Sequence, residues 1–195
     1  LYKFELNGFE QLGYYKEHFH HYIFCSLNIQ SQYYKHLVQH LNKQHLNQGI
    51  IRIEIFYIDN KKSFIAETVF SHPSKLDLIK EAKDKGYFVT LYHIHLDSPE
   101  LALERIQDRV LEGGHGVDED KVRQRYERVI PLIAEASMYA DQTFVFDNSV
   151  RNEPHSLVME LKNGVIHDVY RDLPKWVATG YEKQLKAYSV HDKNR

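Results

Sequence analysis

Lys85-Gly86-Tyr87-Phe88-Val89-Thr90-Leu91-Tyr92-His93-Ile94-His95-Leu96-Asp97-Ser98-Pro99-Glu100 is the stretch that decides the fold. Gly86 is the expected stop of a helix over Pro73 to Lys85, in which Leu76, Ile79 and Ala82 share one face. Tyr87–Leu96 is dense in aromatic and β-branched residues and predicts a central strand. Ser98-Pro99-Glu100 then supplies an N-cap, a proline at the first helical position and an early acid, so a second helix starts there and runs to about Glu112. Helix, strand and helix in this order are the repeating unit of an α/β domain.

Working outward, the same alternation continues. Upstream lie an apolar run, Ile50–Ile58, a turn at Asp59-Asn60-Lys61-Lys62, and a short strand, Ser63–Glu67. Downstream, Gly113-Gly114-His115-Gly116 interrupts the helix. Asp118-Glu119-Asp120 opens another, striped by Val122, Tyr126, Val129 and Ile133. Gln142–Phe146 is a further buried strand, followed by Asp147-Asn148-Ser149. Ser156–Lys162 and Val165–Tyr170 flank Asn163-Gly164, the strongest short-range hairpin signal in the chain, and a helix with Trp176 on its inner side closes the domain. The expected architecture is a mostly parallel sheet flanked by helices, with a C-terminal hairpin and helix. Ile50–Ile58, Ser63–Glu67, Tyr87–Leu96 and Gln142–Phe146 should share one sheet, the last three parallel. In such sheets ligands sit at the carboxyl ends of the strands. Residues 1–195 read as one domain: an atypical N-terminal segment over 1–48, rich in Tyr, His, Gln and Asn with a weakly helical stretch from Ser31 to Leu46, a core over 49–150, and the C-terminal part over 151–195.

Composition bounds the function. The 195 residues are 43% hydrophobic and 27% charged with a net charge of −2, enough apolar content for one core. That charge argues against a surface built for a nucleic-acid backbone or an anionic membrane. No apolar run is long enough for a membrane span. Cys25 is the sole cysteine and cannot form an internal disulfide, which fits a reducing cytoplasm.

Several groups invite a chemical reading. Glu67-Thr68 ends a strand at the ligand edge, where a carboxylate and a hydroxyl can hydrogen-bond an acceptor; a buried Glu capping the next helix explains the pair equally well. Arg105 and Arg109 lie one turn apart on one helix, and Arg123, Arg125 and Arg128 lie on the next. They could neutralise a transferring phosphate. Acids interleave with them, however, so a solvated helical hairpin laced with ion pairs is the simpler account. His36 and His40, near His45 and downstream of His18, His20 and His21, have the spacing of zinc ligands but no intervening Glu, so no metal site is assigned. His93 and His95 alternate along the central strand and read as packing residues. Cys25 reads as a small buried thiol, and Tyr14, Tyr15, Tyr33 and Tyr34 as packing residues without a basic groove beside them.

The series Glu67-Thr68-Val69-Phe70-Ser71, Gly86-Tyr87, Leu96-x-Ser98-Pro99-Glu100-Leu101-Ala102, Arg109-Val110-x-x-Gly113-Gly114-His115-x-Val117, Arg125-Tyr126 and Asp147-Asn148-Ser149 resembles, in order and spacing, the zeta-toxin-like family of P-loop kinases. The resemblance covers Ala66 to Ser149. It implies a P-loop-kinase-like, adenylate-kinase-like core, ATP with Mg²⁺, and phosphoryl transfer to a small hydroxylated acceptor, a UDP-linked amino sugar in toxin members, with an antitoxin protein as a partner. By the same resemblance Glu67, Thr68 and Ser71 bind the acceptor, Arg109 and Arg125 contact the transferring phosphate, Gly113, Gly114 and His115 form the lid turn over the nucleotide, and Asn148 lies near its base. One family element has no counterpart. A member is expected to begin with a strand, a glycine-rich phosphate loop and its helix, yet G-x-x-x-x-G-K-[ST] occurs nowhere in the 195 residues, and Gly8 and Gly13 are not followed by Gly-Lys-Ser/Thr. Two functions stay open: a phosphotransferase, and a catalytically dead nucleotide- or partner-binding protein.

Overall fold

The structure, a computed structural model, describes residues 21–26 and 57–192. Among the described residues six strands form one sheet: β1 (His21–Ser26), β2 (Phe64–Thr68), β3 (Phe88–His95), β4 (Gln142–Asp147), β5 (Ser156–Lys162) and β6 (Val165–Val169), in spatial order β2-β1-β3-β4-β5-β6. The helices are α1 (Ser74–Asp84), α2 (Pro99–Leu111), α3 (Glu119–Ala136), α4 (Lys175–Gly180) and α5 (Glu182–Asp192).

The sheet is mixed, which corrects the expectation of a mostly parallel one. Among the described residues only β3 and β4 pair in parallel, Leu91 opposite Thr143 and His93 opposite Val145. β1 is antiparallel to both β2 and β3, and the β4–β5 and β5–β6 pairs are antiparallel too. Connection length explains the pattern. β2 reaches β3 through α1, and β3 reaches β4 through α2 and α3, so these three strands point the same way; a short link such as Asn163-Gly164 can only reverse the chain. The expected common direction of the three strands therefore holds, but β1 separates β2 from β3. In the Ile50–Ile58 run, Tyr57 and Ile58 fall in a helical turn over 57–59, and 50–56 lie outside the described residues. Lys62 N–H donates to the Tyr57 carbonyl (2.9 Å), and the buried Tyr87 hydroxyl donates to the carbonyls of Tyr57 (3.0 Å) and Lys62 (3.1 Å), so the turn is pinned to the foot of β3.

Local signals act where the sequence places them. Gly86 (φ +83°) ends α1 with its N–H on the Lys83 carbonyl while Tyr87 N–H reaches Ala82, a double closure that only a left-handed residue permits. Ser98 Oγ accepts from Leu101 N–H (3.3 Å) and Asp118 Oδ1 from Lys121 N–H (3.1 Å), capping α2 and α3. Asn163 (φ +49°) and Gly164 (φ +76°) make the β5–β6 turn, both left-handed as the twist of a tight hairpin requires.

One sheet face is covered by helices. Val89 and Leu91 of β3 pack with Leu76, Ile79 and Ala82 of α1 and Val129 and Ile133 of α3, while Val145, Val158 and Leu161 pack with Trp176, Val177 and Tyr181. Leu96, Ala102, Leu103 and Val122 join α2 to α3. The closing segment is two helices rather than the single one expected. The break falls at Tyr181, which is fully buried and turns inward to meet His93, its hydroxyl 2.8 Å from Nδ1.

Candidate functional site

Because β2, β3 and β4 run the same way, Thr68, His95 and Asp147 all end at one edge of the sheet. Three strand ends converging there form the natural ligand edge. The loops after β3 and β4 are tied into one unit. Asp147 Oδ1 accepts from Ser149 Oγ (2.7 Å) and from the Trp176 indole N–H (3.0 Å). Ser149 Oγ in turn accepts from Asp97 N–H (2.8 Å), Asn148 N–H donates to the His95 carbonyl (2.8 Å), and the Tyr126 hydroxyl donates to the Leu96 carbonyl (3.1 Å). From above, the Arg105 guanidinium donates to the Asn148 carbonyl (2.6 Å), fastening α2 to the end of β4. Backbone groups that would otherwise wait for a ligand are thus spent on holding the edge rigid.

Beneath this edge is an aromatic bed. His95 is fully buried between the rings of Tyr126 and Trp176, with centroids 4.7 and 5.0 Å away. Burial pushes its imidazole down to about 3, so it is neutral across the physiological range. The Tyr126 hydroxyl is pushed up to about 12, first by burial and then by the charges of Asp97, Glu100 and Asp147. His93 and His95 are packing residues here, as their alternation indicated.

At the end of β2, Thr68 Oγ1 accepts from Phe70 N–H (3.1 Å). Phe70 is buried with φ +55°, a left-handed conformation for a bulky side chain, and it swings the chain off the sheet towards α1. Ser71 is half-buried in that loop, and His72 Nδ1 accepts from Ser74 N–H (3.2 Å), capping α1 in place of Pro73. Of Glu67 the backbone position is described: it faces Tyr22 across the β1–β2 ladder.

The arginine-bearing helices are arranged in two ways. At the end of α2, Gly113 (φ +91°) donates to the Val110 carbonyl and Gly114 to the Arg109 carbonyl, the same double closure as at Gly86. Arg109 folds over this turn. Its guanidinium donates to the His115 carbonyl (2.5 Å), and a Cβ on Gly114 would lie 2.6 Å from its Cγ, so the close approach requires glycine. Arg109, Gly113, Gly114 and His115 therefore form one cluster, and Asn148 joins α2 through Arg105. Arg125 does not join either group; it is exposed on α3 without a hydrogen bond or ion pair among the described residues. Arg123 pairs with Glu100 (2.5 Å) and Arg151 with Asp108, so part of the charge is the ordinary ion-pair lacing the sequence suggested.

The sequence pattern missed the partnership of Asp147 with Trp176 and of Arg105 with Asn148. The only available hint was that the chain's single tryptophan follows the hairpin. Among the described residues no group of three His, Cys, Asp or Glu side chains is placed to hold a metal. The histidines from His18 to His45 lie outside the described residues, except for the backbone of His21.

No solved structure matches the chain. A protein of Haemophilus influenzae, described as uncharacterized, is 33% identical over 98 residues, which cover 47% of this chain and 70% of that relative. The family model for zeta toxin matches residues 17–155, which include β1, the carboxyl edge of the sheet and the capped turn after α2, and on that extent the chain belongs to the zeta toxin family.

Proposed function

We propose that this chain carries the acceptor and lid side of an ATP-dependent phosphotransferase acting on a small hydroxylated molecule such as a UDP-linked amino sugar. The observation that carries the reading is the shared carboxyl edge of β2, β3 and β4, overhung by α2 with Arg105 and Arg109. Family membership supports a kinase-like activity that uses ATP with Mg²⁺. In this reading the acceptor hydroxyl, held near Glu67, Thr68 and Ser71, would add to the γ-phosphorus as the β–γ bridge breaks, with ADP leaving and the hydroxyl proton passing to water. Arg109 leaves the His115 carbonyl for the equatorial phosphate oxygens, with Gly113, Gly114 and His115 closing over the nucleotide, Asn148 near its base and Arg125 brought in from solvent. Localisation in the cytoplasm and an antitoxin partner belong to the same proposal.

One observation favours a second reading, a catalytically dead nucleotide- or partner-binding protein: the 195 residues contain no G-x-x-x-x-G-K-[ST]. Without consecutive loop amides and their lysine, a triphosphate loses its fixed donors. On the first reading the purified chain, incubated with Mg²⁺-ATP and a UDP-linked amino sugar and followed by phosphorus NMR, forms a phosphorylated sugar; on the second it binds Mg²⁺-ATP weakly, if at all, and forms none. Arg109→Ala should lower turnover by about a hundredfold or more while the melting temperature stays nearly constant. An active chain indifferent to that change sinks the lid assignment. Absence of turnover, together with calorimetric Mg²⁺-ATP affinity weaker than millimolar, selects the second reading.

A further inference from the structure

Asn163-Gly164, the link between β5 and β6, brings together the two partners of an intramolecular reaction. Asn163 is exposed, and its carboxamide has no hydrogen-bond partner among the described residues. The Gly164 N–H donates to nothing there either. An unengaged carboxamide is an electrophile, the next main-chain nitrogen can reach it by closing a small ring, and glycine puts no Cβ in the way. The other described asparagines lack this combination. Asn60, Asn148 and Asn152 precede Lys61, Ser149 and Glu153, whose side chains crowd the nitrogen, and Asn148 is further held by its N–H on His95 and by Arg105 on its carbonyl.

The same turn restrains the reaction. Asn163 is left-handed (φ +49°), and in that conformation its Cβ points away from the Gly164 nitrogen, so the ring closes only once the turn has opened. Three contacts oppose opening. Asn163 N–H donates to the Asp141 carbonyl (3.0 Å), a Cβ on Gly164 would lie 2.9 Å from the Met138 Cα, and Ile166 is buried in the cluster that holds Trp176 and Val177. We propose that Asn163 is a self-modifying site, converted to aspartate and isoaspartate at a rate set by opening of the β5–β6 turn. The Gly164 nitrogen loses its proton and bonds to the side-chain carbonyl carbon of Asn163. The bond from that carbon to the amide nitrogen breaks, and ammonia leaves with the proton. Water then opens the cyclic imide, giving aspartate at the side-chain carbonyl and isoaspartate at the main-chain carbonyl. Isoaspartate adds a main-chain carbon to a tight turn, which the pairing of Lys162 with Val165 cannot absorb without moving Ile166. Nothing in the proposal depends on phosphoryl transfer.

The intact chain is held in mildly alkaline buffer, folded and in urea, and sampled by peptide mapping with mass spectrometry, electron-transfer fragmentation separating the two products. In urea Asn7-Gly8, the other asparagine–glycine pair of the chain, reports the intrinsic rate of the dipeptide. In the folded chain Asn163 should convert ahead of Asn60, Asn148 and Asn152, yet more slowly than in urea. Ile166→Val loosens the strand after the turn. It should speed conversion of the folded chain about two- to tenfold, the factor that matches the usual cost of this truncation, and leave the rate in urea unchanged. Circular dichroism reports that the variant is folded. An Asn163 that stays intact in the folded chain while it converts in urea, equal rates in the two states, or a folded Ile166→Val protein with the parent rate overturns the proposal.

Discussion

Tyr126 and Trp176 hold the His95 ring on two sides, and the burial that results keeps it neutral down to about 3. In the unfolded chain the same imidazole titrates near its ordinary value of about 6.5. Between those two values the unfolded state binds the extra proton and the native state does not, so stability rises with pH through this window and is lost as pH falls from about 6.5 towards 3. The slope from one such group is at most about 1.4 kcal/mol per pH unit. Urea unfolding between pH 4 and 7 should show this slope, reduced in His95→Phe relative to the parent chain. Parallel pH profiles for the two proteins would show that His95 protonates in the folded state. Asp147 illustrates a different economy at the same scale. One carboxylate oxygen serves Ser149 and Trp176 together, so a single side chain orders a loop and a distant helix.

Helices α3 and α4 approach so closely that a Cβ on Gly180 would lie 2.1 Å from Ile130 Cγ2. Gly180→Ala should therefore destabilise the fold by about 1–3 kcal/mol, the range of an overpacked contact. Adding Ile130→Ala should recover part of that loss, a coupling that a double-mutant cycle of denaturation midpoints measures. Additive losses would place the strain elsewhere. Elements such as these were legible to different degrees in the sequence. Ser98, Asp118, Gly86 and Asn163-Gly164 act within a few residues of themselves, and the structure puts each cap and turn where its neighbours implied. The boundaries of β2 to β6 fall within a residue or two of those expected, for the same reason, whereas the Ile50–Ile58 run ends in a helical turn at Tyr57 and Ile58. Strand partners are another matter. Nothing local tells a strand which neighbour it joins, so β1 between β2 and β3, and hence a mixed sheet, could not be read from alternation alone. The same holds for the candidate site: Arg109 and the glycines after α2 are close in sequence and were grouped, whereas Asp147 and Trp176 meet only through the fold.

Across the whole molecule, β1 is the piece that makes one sheet of two parts. Phe24 stands opposite Ile65 of β2 on one side and Thr90 of β3 on the other, and successive β1 residues turn their N–H and C=O groups alternately to the two neighbours, so β1 serves both ladders. Phe24→Pro removes an N–H in mid-strand and should cost about 3 kcal/mol or more, read as a lower urea midpoint. An unchanged midpoint would mean that β2 and β3 do not need β1. The placement also imposes an order on the chain as it is made. β1 leaves the ribosome before either of its partners exists, and β2 then emerges without the strand beyond it. Until β3 is complete, a short ribbon with open edges stands exposed to any other nascent chain nearby. Translation speed across α1 and β3 therefore sets how long that ribbon waits, and chaperone dependence during synthesis should exceed what the stability of the finished protein suggests.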